Sequence, residues 1–402
     1  MRKLLIIAYA FPPFPAPGSA RAWRFYKYLP EFGYETHVLT ASRPDKPLPR
    51  VTFVPPPPTS FSERVLRKFF FPSDDDVLWI FPAIAAAKRL LAETPMDAVL
   101  STIPPIHDHT IAYALKERSG LPWIADYRDP VVGNPFRTSK GLPGWVDRAM
   151  DRRFFRTADL LLTVTDRIEA EWVQNHPEVA GKTAVLWNGF DPDEHIVPKP
   201  IPLRSHRVLA HIGSFYGGRN PVVPLASIDR LIGRGVLDPA RLRLRFIGPL
   251  EPAIRSKNQR LFDQLTALGC LECSPPIPRA QALEAMMEAD QLMIADNNDS
   301  NIGHTVPAKL FEYIRVGRPI LALTAFGSPV ERILALSGVP FVTLSPELDE
   351  DTIDGRMVDF LKLPSQPVRV SEHFSTQFNG RNQARTLASL IDSVVGARPA
   401  GP

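Results

Sequence analysis

The sequence predicts an α/β protein with two successive doubly wound domains, each a parallel sheet covered by helices on both faces. Three observations carry this prediction. The 402 residues are too many for one ordinary core and suit two domains. Short runs rich in Val, Ile and Leu alternate with helical patterns, as in parallel sheets. A proline-rich stretch at 192–202 without periodicity interrupts the alternation and is typical of a linker.

The first half contains strand patterns followed by helical ones, which indicates a parallel sheet. We predict strands at residues 4–9, 36–40, 51–54, 98–101, 123–125, 160–164 and 184–187. We predict helices at 21–32, 77–93, 108–119, 145–156 and 166–175.

The same alternation restarts after the linker. We predict strands at 208–212, 242–247, 291–295, 320–324 and 341–344, and helices at 222–234, 253–268, 279–288, 307–316, 329–336 and 377–395. The domain boundaries follow: 1–190, a linker at 191–205, 206–375, and a closing helix and tail at 376–402 packed back on the first domain. Ligands of such sheets bind at the carboxyl ends of the strands, so we expect a ligand cleft between the domains.

Composition excludes several classes of protein. The net charge of +4 is too small to indicate a nucleic-acid partner, but it allows a basic patch facing phosphates or anionic lipid. Two cysteines, Cys270 and Cys273, cannot form a disulfide framework or a complete zinc site. The short apolar run from Leu4 is interpreted as a first strand rather than a signal peptide. With no run of ~18 apolar residues, we expect a cytoplasmic protein that could work at a membrane face.

The first segment that could carry chemistry is residues 10–21. Gly18 and Ser19 lie where a helix opens after the first strand, and Ser19 is a good N-cap residue. Free backbone N–H groups at that position suit an anion. The alternative is an ordinary capped loop. The glycine fingerprint of dehydrogenases, GxGxxG, is absent.

The second segment, residues 211–221, follows a strand and precedes a helix that Pro221 can start. Gly213 begins a set of three glycines that allow close approach of the backbone to a ligand. Arg219 supplies a fixed cation with paired donors, which suits a diphosphate. The alternative is a flexible turn with a solvated arginine.

The third segment, residues 303–314, is the most informative. Thr305 is expected to cap a helix whose first turn contains Pro307. Lys309 and Glu312 lie three residues apart on one face of that helix, so a cation near phosphates and a carboxylate near ribose hydroxyls would suit a nucleotide. The alternative is a surface ion pair on an amphipathic helix.

Taken in order, these motifs resemble the retaining GT-B glycosyltransferases of the glycosyltransferase family 4 type, in a bacterial polysaccharide-assembly branch. The motifs are FPP…GSAR near the N-terminus, YLPEFGYETHVLT, LPWIADYRDP, NGFD after a strand, Gly213…Arg219 and VPAKLFEYIRVGRPILAL. The resemblance covers most of the chain. It implies two Rossmann-like domains, with the donor nucleotide held mainly by the second.

The resemblance also implies roles for individual residues. Gly18 resembles the loop glycine that approaches the donor phosphates, and Arg219 falls where the family commonly has a phosphate-binding lysine. Glu312 resembles the second glutamate of the E-x7-E pattern, which holds the donor ribose. The backbone from His304 to Lys309 should border the diphosphate.

Three positions depart from the family pattern. His304 stands where the first glutamate of E-x7-E is expected, and Ser214 stands where an arginine often follows the glycine. The histidine often found after the fifth strand is replaced within Asp126-Tyr127-Arg128-Asp129. We therefore take Asp126, Arg128 and Asp129 as catalytic candidates. The alternative is a structural ion-pair turn.

Other polar residues are weaker candidates. Asp191-Pro192-Asp193 imitates a metal-binding DxD motif, but the resembling family usually needs no metal, so we expect no metal and no cofactor beyond the sugar nucleotide. His107 and His109 are expected to face the cleft, where either could bind substrate or simply start a helix.

The sequence therefore predicts an enzyme, a metal-independent and retaining glycosyltransferase. It would move a sugar from a nucleotide-diphosphate donor to a glycan or lipid-linked acceptor in polysaccharide or glycolipid assembly. Two alternatives remain open: a sugar-nucleotide 2-epimerase with the same fold, and a non-catalytic sugar-nucleotide-binding protein. Residues Phe61 to Phe71, FSERVLRKFFF, mix basic and aromatic side chains and are a candidate contact with an anionic membrane surface, unless the phenylalanines pack into the core.

Overall fold

The computed structural model describes residues 1–14, 17–134, 137, 140–198, 200–201, 204–296 and 304–396. The chain divides into two compact units. Residues 1–192 and the chain from 378 onward form the first unit, and residues 193–377 form the second. Residues 199 and 202–203 of the predicted linker, and the predicted tail from 397 on, lie outside the described residues.

In the described part of the first unit, seven parallel strands form one sheet. They are β1 (Arg2–Ile7), β2 (Tyr34–Thr40), β3 (Val51–Phe53), β4 (Ala98–Ile103), β5 (Trp123–Tyr127), β6 (Leu160–Thr163) and β7 (Thr183–Val185). The helices are α1 (Pro17–Tyr28), α2 (Phe61–Phe69), α3 (Ile80–Glu93), α4 (His107–Ser119), α5 (Gly141–Thr157) and α6 (Asp166–Asn175). The strand order is β3-β2-β1-β4-β5-β6-β7, so the winding reverses between β1 and β4.

The second unit contains six parallel strands among its described residues. They are β8 (Arg207–Ile212), β9 (Leu242–Ile247), β10 (Leu271–Ser274), β11 (Gln291–Ala295), β12 (Ile320–Leu323) and β13 (Phe341–Leu344). The helices are α7 (Val222–Gly233), α8 (Pro252–Lys257), α9 (Gln259–Ala267), α10 (Arg279–Glu288), α11 (Lys309–Val316), α12 (Pro329–Ser337), α13 (Glu350–Lys362) and α14 (Glu372–Gln377). The order β10-β9-β8-β11-β12-β13 reverses between β8 and β11.

The last helix, α15 (Gly380–Val395), belongs to the first unit. It helps to explain why β1 is apolar at successive positions. Leu4 and Ile6 pack in a core shared with Leu387, whereas Leu5 and Ile7 pack in the core on the opposite face. Because helices cover both faces, alternating polar residues would have no solvent to face.

The predicted fold class, two parallel-sheet α/β domains, is confirmed, and five details of the predicted elements are wrong. The edge strand β10 was not predicted, because only Leu271 of its four residues is buried and no apolar run marks it. Helices α2, α13 and α14 were also not assigned. The predicted helix 253–268 is two helices, α8 and α9, separated at Asn258, whose φ of −123° is not helical.

Candidate functional site

The reversal point of the second sheet gathers the predicted donor-binding residues. Ligands of open α/β sheets bind outside the carboxyl ends of the strands at such a reversal point. His211 lies at the end of β8, Gly213 and Arg219 follow it, and Lys309 is the first residue of α11. We refer to His211, Gly213, Arg219, Thr305 and Lys309 as the β8–α11 cluster.

Gly213 lies where the cluster is most crowded. A Cβ atom at this position would lie 3.0 Å from Nε2 of His211 and 3.2 Å from Cδ and Cε of Lys309. The Gly213 carbonyl in turn requires Gly248, because a Cβ there would lie 2.3 Å from the carbonyl oxygen. Glycine at position 213 therefore leaves room beside a histidine and a lysine, and a larger residue would fill it.

Arg219 lies in a tight turn rather than in a flexible loop. Tyr216 and Arg219 exchange two backbone hydrogen bonds of 3.0 Å, and Gly217 takes a φ of +55° in that turn. The guanidinium donates to the Tyr216 hydroxyl at 2.8 Å and to Oγ1 of Thr305 at 2.7 Å. Both partners are neutral, so within the described residues the guanidinium is oriented by hydrogen bonds and not by a carboxylate.

Lys309 is the second cation of the cluster. Burial lowers the pKa of its ammonium, and Arg279 acts in the same direction, while Glu312 opposes the shift. Helix α11 is fixed against the end of β8 by Tyr313, whose hydroxyl accepts a 2.8 Å hydrogen bond from the Ile212 amide. The position of Lys309 next to Gly213 is therefore set by the packing of α11.

His211 is a member of the cluster that the sequence did not assign a role. It is 4% exposed and stacks on Phe215 with a centroid distance of 4.0 Å. Its Nδ1 lies 2.8 Å from the Met293 carbonyl, which can only accept, so Nδ1 carries the proton and Nε2 has the lone pair. Burial is the main cause that lowers the pKa of this imidazole to about 4, and Lys309 and Arg219 contribute.

The start of α11 differs from the prediction. The helix begins at Lys309 with Ala308 as its N-cap, and the expected side-chain cap from Thr305 is wrong. The physical reason is that Oγ1 of Thr305 accepts its hydrogen bond from Arg219 instead. His304 and Thr305 are both buried, and Gly303 lies outside the described residues.

Glu312, the predicted ribose ligand, is engaged by a neighbouring arginine. Its Oε1 accepts from Nη2 of Arg279 at 2.8 Å, and Arg279 also contacts Glu194 at 2.7 Å. The ion pair orients the carboxylate near Lys309 without consuming both of its oxygens. The ribose role stays a prediction.

In the first unit, Gly18 and Arg128 are brought together at the start of α1. A Cβ at Gly18 would lie 0.9 Å from Nη1 of Arg128, so the guanidinium crosses directly over this glycine. Nε of Arg128 donates to the Ile103 carbonyl at 3.0 Å, and Nη2 donates to the Pro104 carbonyl. Burial lowers the pKa of this guanidinium, while Asp129 opposes the shift.

Ser19 is not the N-cap of α1, contrary to the prediction. The helix starts two residues earlier, at Pro17, and Ser19 is a buried residue of its first turn. Proline is favoured at the first position of a helix, which is the signal that the choice of Ser19 overlooked. Residues 15 and 16 of this loop lie outside the described residues.

Asp126 is fully buried in an ion pair. Its exposure is 0%, and Arg21, at 1%, donates to both of its oxygens at 2.7 and 2.9 Å. Thr102 donates a further hydrogen bond of 2.8 Å. Arg21 also donates to the carbonyls of Leu186 and Trp187. This is the arrangement of the structural alternative weighed for this segment, and a catalytic role for Asp126 stays a prediction.

The remaining polar candidates of the first unit, Asp129, His107 and His109, differ in solvent exposure. Asp129 is half-buried beside Arg128. The expectation that His107 and His109 face a cleft is wrong, because both rings are fully buried. His109 contacts Ser101 at 2.8 Å and packs on Tyr127, with burial holding its pKa well below the usual value.

Within the described residues, no group of three or more His, Cys, Asp or Glu side chains could hold a metal ion. Asp191, from the DxD-like motif, accepts a hydrogen bond of 3.1 Å from Lys27. Among the same residues, no helix is long and apolar enough to cross a membrane.

The structure thus brings together Gly213, Arg219, Thr305 and Lys309 at one reversal point, and Gly18 with Arg128 at the other. Sequence reasoning missed His211, Arg21 and Arg279. The sequence already drew attention to two of these positions: His211 is the first residue of the segment 211–221, and Arg21 is the last residue of the GSAR motif.

Comparisons with known proteins concern the family segment and the fold. The sequence model of Glycosyltransferase Family 4 matches residues 19–194. No curated protein matches this chain.

Solved structures match over nearly the whole chain. A sucrose-phosphate synthase from Thermosynechococcus elongatus has a TM-score of 0.70 at 12% identity, over 99% of this chain and 100% of its own. WaaG, a glycosyltransferase involved in lipopolysaccharide biosynthesis, has 0.59 at 16% identity, over 99% and 100%. Anabaena HepE in complex with UDP-glucose has 0.61 at 12% identity, over 98% of both chains.

Proposed function

We propose, from the premise that this chain is a glycosyltransferase with a family 4 domain and the GT-B fold, that it transfers a sugar from a nucleotide-diphosphate donor to a glycan or lipid-linked acceptor. One observation carries the donor assignment: Arg219 and Lys309 converge beside Gly213, and neither lies within ion-pair distance of a carboxylate in the described part of the chain. Two cations left without a counter-ion beside an open glycine suit a diphosphate.

Transfer of the sugar requires that the site stabilise the departing nucleoside diphosphate. The bond between the anomeric carbon and the diphosphate breaks, and its electron pair stays on the diphosphate oxygen. The acceptor oxygen bonds to the same carbon and gives up its proton to a base or to the departing phosphate. Arg219 and Lys309 offset the charge that develops on the diphosphate as preorganised cations. We propose that Asp129, beside Arg128, orients the acceptor hydroxyl, since Asp126 is held by Arg21.

Further parts of the proposal rest on the family resemblance. These are retention of anomeric configuration, independence from metal, a role in polysaccharide or glycolipid assembly, and a cytoplasmic location. HepE was solved with UDP and with UDP-glucose, and WaaG acts in lipopolysaccharide biosynthesis. These relatives favour a sugar nucleotide as donor for this chain too.

The experiment that tests the proposal begins with a thermal-shift panel of nucleoside diphosphates and sugar nucleotides. A ligand at 100 times its dissociation constant stabilises the folded chain by ~2.7 kcal/mol. The donor found in this way is then incubated with and without glycan and lipid-linked acceptors, and the product anomer is assigned by NMR. Epimerised donor without an acceptor would favour the 2-epimerase. Binding with neither reaction would favour a non-catalytic binding protein.

We also propose that α2 contacts an anionic membrane surface. Its phenylalanines do not all pack into the core: Phe61 is 75% exposed and Phe69 is 50% exposed. Arg64, Arg67 and Lys68 line one open cavity of about 270 Å³. Glu63, the acidic residue of the helix, is buried, whereas Ser62, Arg64, Val65 and Lys68 are exposed together with the two phenylalanines, so the outward face of α2 carries no acidic side chain. Each basic residue near an anionic surface contributes ~1 kcal/mol.

Helix α5 has the same separation of charge. Trp145 is 62% exposed and Arg152 is exposed, whereas Asp147 and Asp151 are buried. A chain of ion pairs connects the two helices. Arg67 of α2 pairs with Asp75, and the adjacent Asp74 pairs with Arg137, which also pairs with Asp147.

Vesicle flotation tests this contact. We expect binding to phosphatidylglycerol vesicles that weakens with salt, and none to phosphatidylcholine vesicles. Changing Arg64, Arg67 and Lys68 to glutamine should abolish it. The matched control removes three exposed basic residues of the second unit, Arg255, Lys257 and Arg260, and should leave it intact. Equal loss in both triple variants would show a general charge effect and reject α2 as the contact.

A further inference from the structure

The Nε2 atom of His211, which has the lone pair, is a buried acceptor in the β8–α11 cluster. It has no hydrogen-bond partner among the described residues. A buried polar atom without a partner is costly, and such atoms often mark a place that a ligand completes. The same nitrogen lies 3.0 Å from the Cβ position of Gly213, on the side where Lys309 approaches.

The ring cannot turn to place its proton there. Nδ1–H is committed to the Met293 carbonyl of β11, and stacking on Phe215 holds the ring plane. Nε2 can therefore either accept a hydrogen bond as it stands or donate one after taking up a second proton. The proposed phosphate ligand has only acceptor oxygens, so it can use only the second state.

The charges around the ring decide when that second state forms. Without ligand, burial, Lys309 and Arg219 all disfavour a charged imidazole. Among the described residues, α11 also carries Glu312 and Tyr313, whose hydroxyl is bonded to the Ile212 amide, and buried His304 precedes that helix. Asp296, just beyond β11, is buried and accepts a hydrogen bond from Thr324 at 3.1 Å. A diphosphate bound at Arg219 and Lys309 would bring the largest change in charge.

We infer that His211 takes up a proton at Nε2 when the diphosphate of a sugar nucleotide binds, and that it donates a hydrogen bond to a phosphate oxygen. This inference rests on the proposed donor function. The proton comes from solvent, and no covalent bond changes. His211 is then a third cation on the leaving diphosphate, present only when the anion is bound.

The sign of the pH dependence follows. The unliganded pKa is about 4, and an adjacent anion raises it in the complex. At a pH between the pKa of His211 in the free protein and its pKa in the complex, binding consumes a proton, so the affinity becomes weaker as the pH rises. Above the pKa of the complex, His211 stays neutral and this dependence disappears.

Titration calorimetry tests the inference with UDP-glucose and GDP-mannose as probes, since their diphosphates are diesters without a titration near neutral pH. Binding enthalpies in two buffers of different ionisation enthalpy give the number of protons taken up. We expect uptake by the unchanged protein and none by His211→Asn, whose amide can still donate to Met293. The matched control is His176→Asn, a half-exposed histidine of the first unit, which should retain the uptake.

A second measurement does not depend on any variant. In protein with 15N-labelled histidine, the Nε2 resonance of His211 should move from the unprotonated to the protonated range on binding. Binding of either probe with no proton uptake and no such shift overturns the inference and leaves the donor function standing. If neither probe nor any sugar nucleotide of the thermal-shift panel binds, the donor function fails and the inference fails with it.

Discussion

Arg21 and Arg219 both lie near strand ends of a parallel sheet, but their environments are opposite. Arg21 is 1% exposed and contacts a carboxylate with two of its nitrogens, so its charge is neutralised inside the first unit. Arg219 is half-buried, and its partners are two hydroxyl groups. The difference teaches that a buried ion pair makes each partner necessary to the other, whereas a cation whose described partners are neutral is the better candidate for contact with an anion.

The largest expected effect comes from breaking the buried pair. Asp126→Ala leaves Arg21 as an uncompensated buried charge, so we expect the free energy of unfolding to fall by roughly 3–5 kcal/mol. Urea unfolding measures it. Asp191→Ala is the matched control, because it removes a half-buried partner of Lys27 on the same helix and should cost about 1 kcal/mol or less. Unchanged stability with turnover abolished would instead make Asp126 a catalytic base.

The next effect concerns Arg219, whose partners in the described part of the chain are neutral. Arg219→Ala should weaken binding of the nucleoside diphosphate by ~1.5–3 kcal/mol, because a charge-assisted hydrogen bond to phosphate is lost. Binding of the nucleoside alone should not change, and neither should the unfolding midpoint. Calorimetry with both ligands separates the outcomes. Equal losses for nucleoside and diphosphate would mean that Arg219 acts through the fold, as Arg21 does.

A smaller change is expected at the carboxylate beside this cluster. Glu312→Ala should weaken sugar-nucleotide binding by at most ~1.5–3 kcal/mol, since a hydrogen bond to the ribose hydroxyls is lost. Glu312→Ala also removes the ion pair with Arg279. Arg279→Ala is therefore the control, because it removes that ion pair and keeps the carboxylate. If Glu312→Ala leaves the affinity unchanged in a folded protein, the carboxylate serves only to hold α10 and α11 together.

No effect is expected from removing divalent metal. If the cations of the second unit stabilise the leaving group, EDTA should leave the rate of transfer unchanged. Loss of transfer in EDTA and its return with manganese would assign that role to a metal, with Asp191 and Asp193 as the first residues to test.

Most of the fold could be predicted because buried strands carry their signal locally. The strands at 242–247, 291–295 and 341–344 begin and end at the predicted residues. Strand β10 could not be found in this way, because a mostly exposed edge strand has no apolar run. The GT-B fold was recognised from motifs in order and is confirmed by the solved structures, and the family 4 sequence model matches residues 19–194.

The site was predictable only where its residues are close in sequence. Gly213 and Arg219 fall within one loop, and Thr305 to Glu312 fall within one segment, so their grouping was visible. The partner of Asp126 is 105 residues away, and without it the burial of that carboxylate could not be seen. His211 was missed for a related reason, since a lone histidine at a strand end has no pattern until Met293 and Gly213 are placed around it.

Helix α15 also has a consequence for synthesis on the ribosome. The first unit is made from both ends of the chain, with Phe190 and Gly380 joined by a backbone hydrogen bond of 2.9 Å. Leu387 and Ile391 complete the core around Leu4 and Phe25, so that face stays open while the whole second unit is translated. Nascent chains fold largely from the N-terminus. A chain that stops before α15 would therefore contain a folded second unit and an exposed apolar surface on the first unit. We expect chaperones to bind that surface, which includes side chains of β1, the first strand to be synthesised.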